Sequence, residues 1–147
     1  MQKKLLYLLI PMTLVLSGFL IFQNMETKQP VRRKHNIVLQ VTQSDSLTQL
    51  AVIGQIRNIK KGLPDSQIEV VCHAHGLDML TTGKSKVLRH ITELRDEHVV
   101  FVACENTMKR KNIQRDDLAP EVTVVPSALV EIILRQEDGW SYLKGGN

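Results

Sequence analysis

A cysteine at the end of an apolar run is the residue of this 147-residue chain whose position most suggests chemistry. Cys104 closes the run Val99–Cys104 and precedes Asn106 and Thr107, either of which can cap a helix. A thiol at a helix N-terminus lies at the positive end of the helix dipole, which favours the thiolate that attacks sulfur in persulfide and disulfide exchange. A free cysteine is also a common small core residue, so its position alone leaves both roles open.

The second cysteine, Cys72, is followed by two histidines, and the Cys-His-x-His order suggests a metal site. In an extended segment His73 and His75 point to one side and Cys72 to the other. Zinc would need further ligands, and the chain has one other cysteine, so we predict no metal. A neutral imidazole beside Cys104 could accept its proton if the two strands are neighbours. A disulfide between the two cysteines stays open as an alternative.

Two other motifs are better explained by local structure. Gly83-Lys84-Ser85 is similar to the end of a phosphate-binding loop, but six residues separate Gly76 from Gly83, a longer interval than the motif allows. We therefore expect no nucleotide cofactor and interpret Ser85 as a helix cap. Asp116 and Asp117 come just before Leu118-Ala119-Pro120 and indicate a turn or helix cap.

Strand and helix patterns alternate along the rest of the chain. This order predicts an α/β, Rossmann-like three-layer domain with a mostly parallel central sheet, in which ligands gather at the carboxyl ends of the strands. Both cysteines lie at such ends, and the nearly all-apolar run Val99–Cys104 is expected to be the central strand, buried on both faces. The predicted strands are Ile37–Val41, Ile68–Cys72, Val99–Cys104, Val122–Val125 and Trp140–Leu143, and the predicted helices carry Val52 to Leu63, Ser85 to Arg95, Thr107 to Lys111, and Leu129 to Leu134.

The N-terminus is expected to anchor the chain in a membrane. Residues 5–22 carry no charge after Lys3 and Lys4, and no small-residue cleavage site follows them. We predict a signal anchor or transmembrane segment over residues 1–22, with a cleaved signal peptide or a buried helix as the alternatives. A basic linker should follow over residues 23–34 and a folded domain over residues 35–147. The very short tail before the span favours a periplasmic or extracytoplasmic domain, with the cytoplasmic face as the alternative.

Charge gives no indication of nucleic acid binding. The chain has 19 Lys and Arg against 15 Asp and Glu, and Lys3 and Lys4 account for part of that excess. The remainder is close to neutral and shows no interleaving of aromatic and basic residues.

Four segments resemble the DsrE/DsrF-like family, most specifically ACENTM at Ala103–Met108. The others are HNIVLQV (His35–Val41), EVVCHAHGLDML (Glu69–Leu80) and TVVPSALVEIILRQEDGWSYLK (Thr123–Lys144). The resemblance implies a Rossmann-like fold, homo-oligomers (trimers or hexamers), and sulfur oxidation or relay through a cysteine persulfide. Cys104 matches the recurring cysteine of that motif. Glu105 stands where a small residue is common, and a membrane segment is not a feature of the cytoplasmic relay members.

We therefore expect a sulfur carrier or sulfurtransferase-like protein that uses a persulfide on Cys104. Asn106, Thr107, His73 and His75 are the predicted supporting residues, and the partners would be sulfur donor and acceptor proteins or sulfane-sulfur compounds. The alternatives are a membrane-tethered oligomeric binding module without catalysis, in which Cys104 is structural, and a thiol–disulfide protein that uses both cysteines.

Overall fold

A five-stranded parallel sheet organises the computed structural model, which describes residues 34–146. Apolar, largely β-branched runs form its interior strands, as expected for a sheet covered on both faces. The spatial order is β4-β3-β2-β1-β5, and every neighbouring pair is parallel, which confirms the predicted parallel α/β sheet. The strands are β1 (Asn36–Val41), β2 (Gln67–Cys72), β3 (Val99–Cys104), β4 (Thr123–Val125) and β5 (Ser141–Lys144).

Helices connect the strands and cover both faces of the sheet, consistent with a Rossmann-like domain. The larger core, with Leu39, Val70 and Phe101, lies under α1 and α2 and includes Met108 of α3, whereas the smaller core, with Val71 and Val102, lies under α4. The helices are α1 (Ser46–Gly62), α2 (Leu88–Arg95), α3 (Glu105–Lys111) and α4 (Ala128–Glu137), and 3₁₀ turns span Ala74–Leu80 and Arg115–Asp117.

The turn after β2 is held against the end of β1 by a close backbone approach. A Cβ built at Gly76 would lie 2.2 Å from the carbonyl oxygen of Val41, so no other residue fits there without displacing the backbone. The N–H of His73 donates to the same carbonyl at 3.0 Å. These contacts fix the segment that carries both predicted histidines.

Three details differ from the sequence predictions. Helix α2 begins at Leu88 and not at Ser85, whose hydroxyl instead accepts from the N–H of Val87 at 3.2 Å in the preceding turn. The central strand is β2 and not β3. Val100 of β3 is 46% exposed because, within residues 34–146, α4 is the helix that covers that face, and it does not extend over Val100.

The predicted membrane segment, residues 1–22, and residues 23–33 of the predicted linker lie outside the described residues. Among residues 34–146, none of the helices has the length and apolar character needed to cross a bilayer.

Candidate functional site

Cys104 lies at the carboxyl edge of the sheet, where the start of α3 and the start of α4 meet. It is the N-cap residue of α3 and is 5% exposed. Its side chain lines an open cleft of about 460 Å³. The other lining residues are His73, Asn106, Thr107, Lys109, Arg110, Ser127, Ala128 and Leu129. Three of the four predicted supporting residues therefore share one cleft with the cysteine.

Hydrogen-bond donors surround the sulfur of Cys104. The N–H of Ala128, the first residue of α4, donates to Sγ at 3.4 Å, which places the sulfur at the positive end of that helix. Burial raises the pKa of the Cys104 thiol, but the Ala128 N–H and the hydroxyl and N–H of Thr107 outweigh it and hold the pKa below its ordinary value. A lowered thiol pKa is the property expected of a reactive cysteine.

Thr107 joins the thiol to the segment that follows β2. Its side chain is buried, and its hydroxyl accepts from the N–H of Ala74 at 3.2 Å and from the guanidinium of Arg110 at 3.3 Å. With both lone pairs engaged, the hydroxyl proton is free to be donated to Cys104. The hydroxyl therefore both positions the loop and stabilises the thiolate.

His73 is held by a polar chain that crosses three strands. The Tyr142 hydroxyl donates to Oε1 of Gln40 at 2.5 Å, and Nε2 of Gln40 lies 2.8 Å from Nε2 of His73. An amide nitrogen can only donate, so His73 Nε2 accepts and Nδ1 carries the ring proton. Burial lowers the pKa of His73, and the charge of Arg110 lowers it further. This arrangement favours a neutral hydrogen-bond donor over a proton acceptor.

The remaining predicted residues lie at the periphery. The Asn106 side chain is exposed at the rim of the cleft, and its N–H donates to the carbonyl of Pro126 at 3.3 Å and also helps to lower the pKa of Cys104. His75 is exposed and lines a neighbouring cleft of about 260 Å³ with Thr107, Arg110 and Lys111, away from the Cys104 sulfur.

Cys72 and Cys104 are separated by the sheet itself. Cys72 pairs in register with Ala103, is fully buried and packs in the larger core, whereas Cys104 packs in the smaller core on the opposite face. Both thiols are free, and burial raises the pKa of Cys72. Since a disulfide needs Cβ atoms within about 4.5 Å and directed toward each other, this geometry excludes a bond between them and leaves Cys72 as core.

Gln40 and Tyr142 belong to the site although the sequence did not single them out. Gln40 interrupts the apolar strand IVLQV, and a polar residue there is a signal that could have been used. Arg110 follows Thr107 by one helical turn, a spacing that brings side chains together. The Ala128 N–H carries no sequence signal, because any residue except proline supplies it.

No cluster of three or more histidine, cysteine or carboxylate side chains suited to a metal ion occurs in the part of the chain that the structure describes.

Comparisons with known proteins identify similar folds without an assigned activity. No protein-family model and no curated protein matches the chain. It is similar to the protein of unknown function MTH1491 from Methanobacterium thermoautotrophicum, at 32% identity over 76% of this chain and 99% of that one, with a TM-score of 0.72. A conserved protein of unknown function from Bacteroides thetaiotaomicron, BT1422, shares the fold at 13% identity over 74% of this chain and 93% of its own, with a TM-score of 0.51. Identity and coverage place the chain in the same protein family as MTH1491.

Proposed function

We propose that this chain is a sulfur carrier in which Cys104 accepts sulfane sulfur as a persulfide and passes it to an acceptor. The observation that carries the proposal is the environment of the thiol. Cys104 lines an open cleft, and the N–H of Ala128 and the hydroxyl of Thr107 are arranged to stabilise negative charge on sulfur. The resemblance to the DsrE/DsrF-like family motivates the choice of sulfur transfer among the reactions open to a thiolate.

The transfer is a pair of nucleophilic displacements on sulfur. The Cys104 thiol first loses its proton to solvent, and the thiolate then attacks the transferable sulfur of the donor. A new S–S bond forms while the donor's bond to that sulfur breaks, and the bonding pair leaves with the rest of the donor. An acceptor thiolate next attacks the outer sulfur of the persulfide and regenerates the Cys104 thiolate. No external oxidant or reductant is required.

Each neighbouring residue has a distinct role in this scheme. Thr107 and the Ala128 N–H stabilise the thiolate and the persulfide anion. His73, whose pKa is lowered by burial and by the charge of Arg110, is a positioning donor at the wall of the cleft. Asn106 at the rim contacts the incoming partner. His75 takes no direct part, because it lines the neighbouring cleft.

Sulfur release from the loaded protein tests the proposal. The purified chain is incubated with a sulfane-sulfur donor, freed of excess donor and treated with dithiothreitol, and the sulfide released is measured. We expect stoichiometric sulfide from the wild type and from Cys72→Ala, and none from Cys104→Ser. Equal release from Cys104→Ser would refute the assignment of the carrier cysteine.

We further propose that the chain forms a homo-oligomer, a trimer or hexamer, through α4. Its inward side buries Ala128 and Ile132, and yet its outward side is apolar. Soluble monomers rarely leave such a contiguous apolar surface exposed. The outward residues are Leu129, Val130, Ile133 and Leu134, each between 49% and 58% exposed.

The mass of the particle in solution tests this interface. Ile133→Glu should shift the chain toward monomers in analytical ultracentrifugation, because a charge would be buried in the interface. Leu50→Glu, at a 51% exposed position of α1, is the matched control. A monomeric wild type, or a mass unchanged by Ile133→Glu, would exclude an interface on α4.

The same surface supports a second candidate function, a membrane-tethered oligomeric binding module in which Cys104 is structural. The two functions differ in what Cys104→Ser does to a cell that depends on the protein. If cells with Cys104→Ser lose the function that depends on the protein, the sulfur carrier is supported. If those cells keep that function, the binding module is supported.

We also propose that residues 5–22 anchor the chain in a membrane and that the folded domain is extracytoplasmic. A reporter enzyme that is active in one compartment, fused to the C-terminus, distinguishes this placement from a cytoplasmic one.

A further inference from the structure

The charges at the Cys104 cleft are of one sign. Among residues 34–146, the charged side chains that line it are Lys109 and Arg110, and none of the lining residues carries a carboxylate. Lys109 is partly neutralised by Glu105 at 3.1 Å. Arg110 forms no ion pair with any carboxylate within residues 34–146, and its recorded hydrogen bond goes to the neutral Thr107 hydroxyl. Within the described residues, a guanidinium without a carboxylate partner therefore lines the same cleft as the nucleophile.

Arg110 differs in its charge partners from Lys111, the next residue of the same helix. Lys111, one residue further along α3, contacts Asp78 at 2.7 Å, and both side chains are largely buried. Arg110 lines both the Cys104 cleft and the His75 cleft, and it has no such partner among residues 34–146. Its five N–H donors are arranged to bind an oxyanion through two oxygens at once.

His73 adds a donor and no charge to the same wall. Its Nε2 accepts from Gln40, so Nδ1 carries the proton, and the nearby guanidinium opposes a second positive charge on the ring. The polar groups nearest Cys104 are therefore donors or cations. Such a set favours a ligand that is an anion rich in acceptor oxygens.

We propose that the donor of sulfur to Cys104 is a small anion in which the transferable sulfur is bonded to an oxyanion group, with thiosulfate as the simplest member of the class. This inference rests on the proposed sulfur-carrier function. Arg110 binds the oxyanion and directs the outer sulfur toward Cys104. The cleft volume, about 460 Å³, falls within the range of small-molecule sites, about 300–1,000 Å³.

The reaction with thiosulfate balances without a further reagent. The Cys104 thiolate attacks the outer sulfur, the bond between that sulfur and the sulfonate sulfur breaks, and sulfite leaves with the bonding pair. The products are the Cys104 persulfide anion and sulfite, so the total charge is unchanged. Negative charge builds on the leaving sulfite, and Arg110 is placed to stabilise it.

Charge selectivity at the thiol gives the first test. The purified chain is reacted with two methanethiosulfonate reagents of similar size, one carrying a sulfonate and one a quaternary ammonium group. We expect the anionic reagent to modify Cys104 about tenfold faster at low salt, since a cleft lined by charges of one sign raises association rates by about tenfold or more. Arg110→Gln should remove most of this preference, and Arg115→Gln, an exposed arginine that lines a different cleft, should keep it.

Loading with two sulfur donors gives the second test. Thiosulfate should load Cys104 of the wild type and of Arg115→Gln, and load Arg110→Gln about tenfold more slowly. Elemental sulfur, an uncharged donor, should load all three proteins at similar rates. Equal reactivity toward the two reagents, or thiosulfate loading unchanged by Arg110→Gln, would overturn the anionic donor and leave the carrier function intact. Failure of both donors to load Cys104 would overturn the carrier function itself.

Discussion

Replacing Thr107 by valine removes a single hydroxyl from the cleft while conserving volume. That hydroxyl stabilises the Cys104 thiolate and accepts the N–H of Ala74 at 3.2 Å. A hydrogen bond to a charged group contributes about 1.5–3 kcal/mol, and about 1.4 kcal/mol corresponds to a factor of ten in an equilibrium. The pKa of Cys104 therefore rises in the variant, and below that pKa the thiolate population falls about tenfold or more.

The alkylation rate reports this change in part. A thiolate of higher pKa is intrinsically more nucleophilic, with a Brønsted slope of about 0.4–0.5, so a tenfold loss of thiolate lowers the observed rate by about threefold at fixed pH. The pH at which the alkylation rate reaches half its maximum (the midpoint) does not depend on thiolate nucleophilicity, so it reports the pKa of Cys104 more directly. Because the pKa of Cys104 is depressed, the wild-type rate rises at lower pH than that of an ordinary cysteine.

Iodoacetamide labelling, followed by mass spectrometry from pH 5 to 10, measures that midpoint. Thr107→Ser keeps the hydroxyl and should retain the wild-type midpoint, whereas Thr107→Val should move it upward. The valine variant should also lose about 1–3 kcal/mol of unfolding free energy, because the Ala74 N–H loses its acceptor. A midpoint that does not move in a folded Thr107→Val would refute the assignment of Thr107 as a donor to the thiolate.

Further variants test the groups that position the cleft. Gly76→Ala should lower the unfolding free energy by about 3 kcal/mol, since its Cβ would lie 2.2 Å from the Val41 carbonyl oxygen. A Cβ at Gly83 meets no atom of the described residues within 4 Å apart from its chain neighbours, so Gly83→Ala should leave thermal denaturation nearly unchanged. Equal losses in the two variants would contradict the close approach at Gly76. Gln40→Glu should raise the pKa of His73 in NMR titration, because a carboxylate favours the imidazolium; an unmoved pKa would argue against the Gln40 contact. With the His73 pKa lowered in the folded state, stability should decrease as the pH falls from about 6.5 toward that lowered value, and Gln40→Glu should reduce this loss.

The parts of the fold that local patterns encode were predictable. Strand β3 is a continuous apolar run between polar segments, and its predicted bounds, Val99–Cys104, match the structure. The start of α2 could not be predicted from the sequence. Ser85 has the side chain of a helix cap, but its own N–H donates to the carbonyl of Thr81 at 2.8 Å in a backbone turn. Side-chain type alone does not distinguish a helix cap from a turn.

The site was predictable where it depends on strand ends, and less so where it depends on tertiary contacts. Parallel strands end at one edge of the sheet, which brings His73 close to Cys104 as predicted. The contact between Gln40 and His73 joins residues 33 apart and decides which ring nitrogen carries the proton, and no local pattern contains it. The burial of the apolar face of α4 was also not predictable from local sequence. Periodicity identifies an apolar helix face without telling whether that face packs inward or, as at Ile133, remains exposed.

Peptide mass spectrometry of the purified chain after exposure to sulfane-sulfur donors tests the central claim most directly. If Cys104 carries sulfane sulfur, the peptide that contains it gains about 32 Da, the mass of one sulfur atom. The gain should persist in Cys72→Ala and vanish in Cys104→Ser. A Cys104 that stays unmodified by every donor, or a gain located on Cys72, would contradict it.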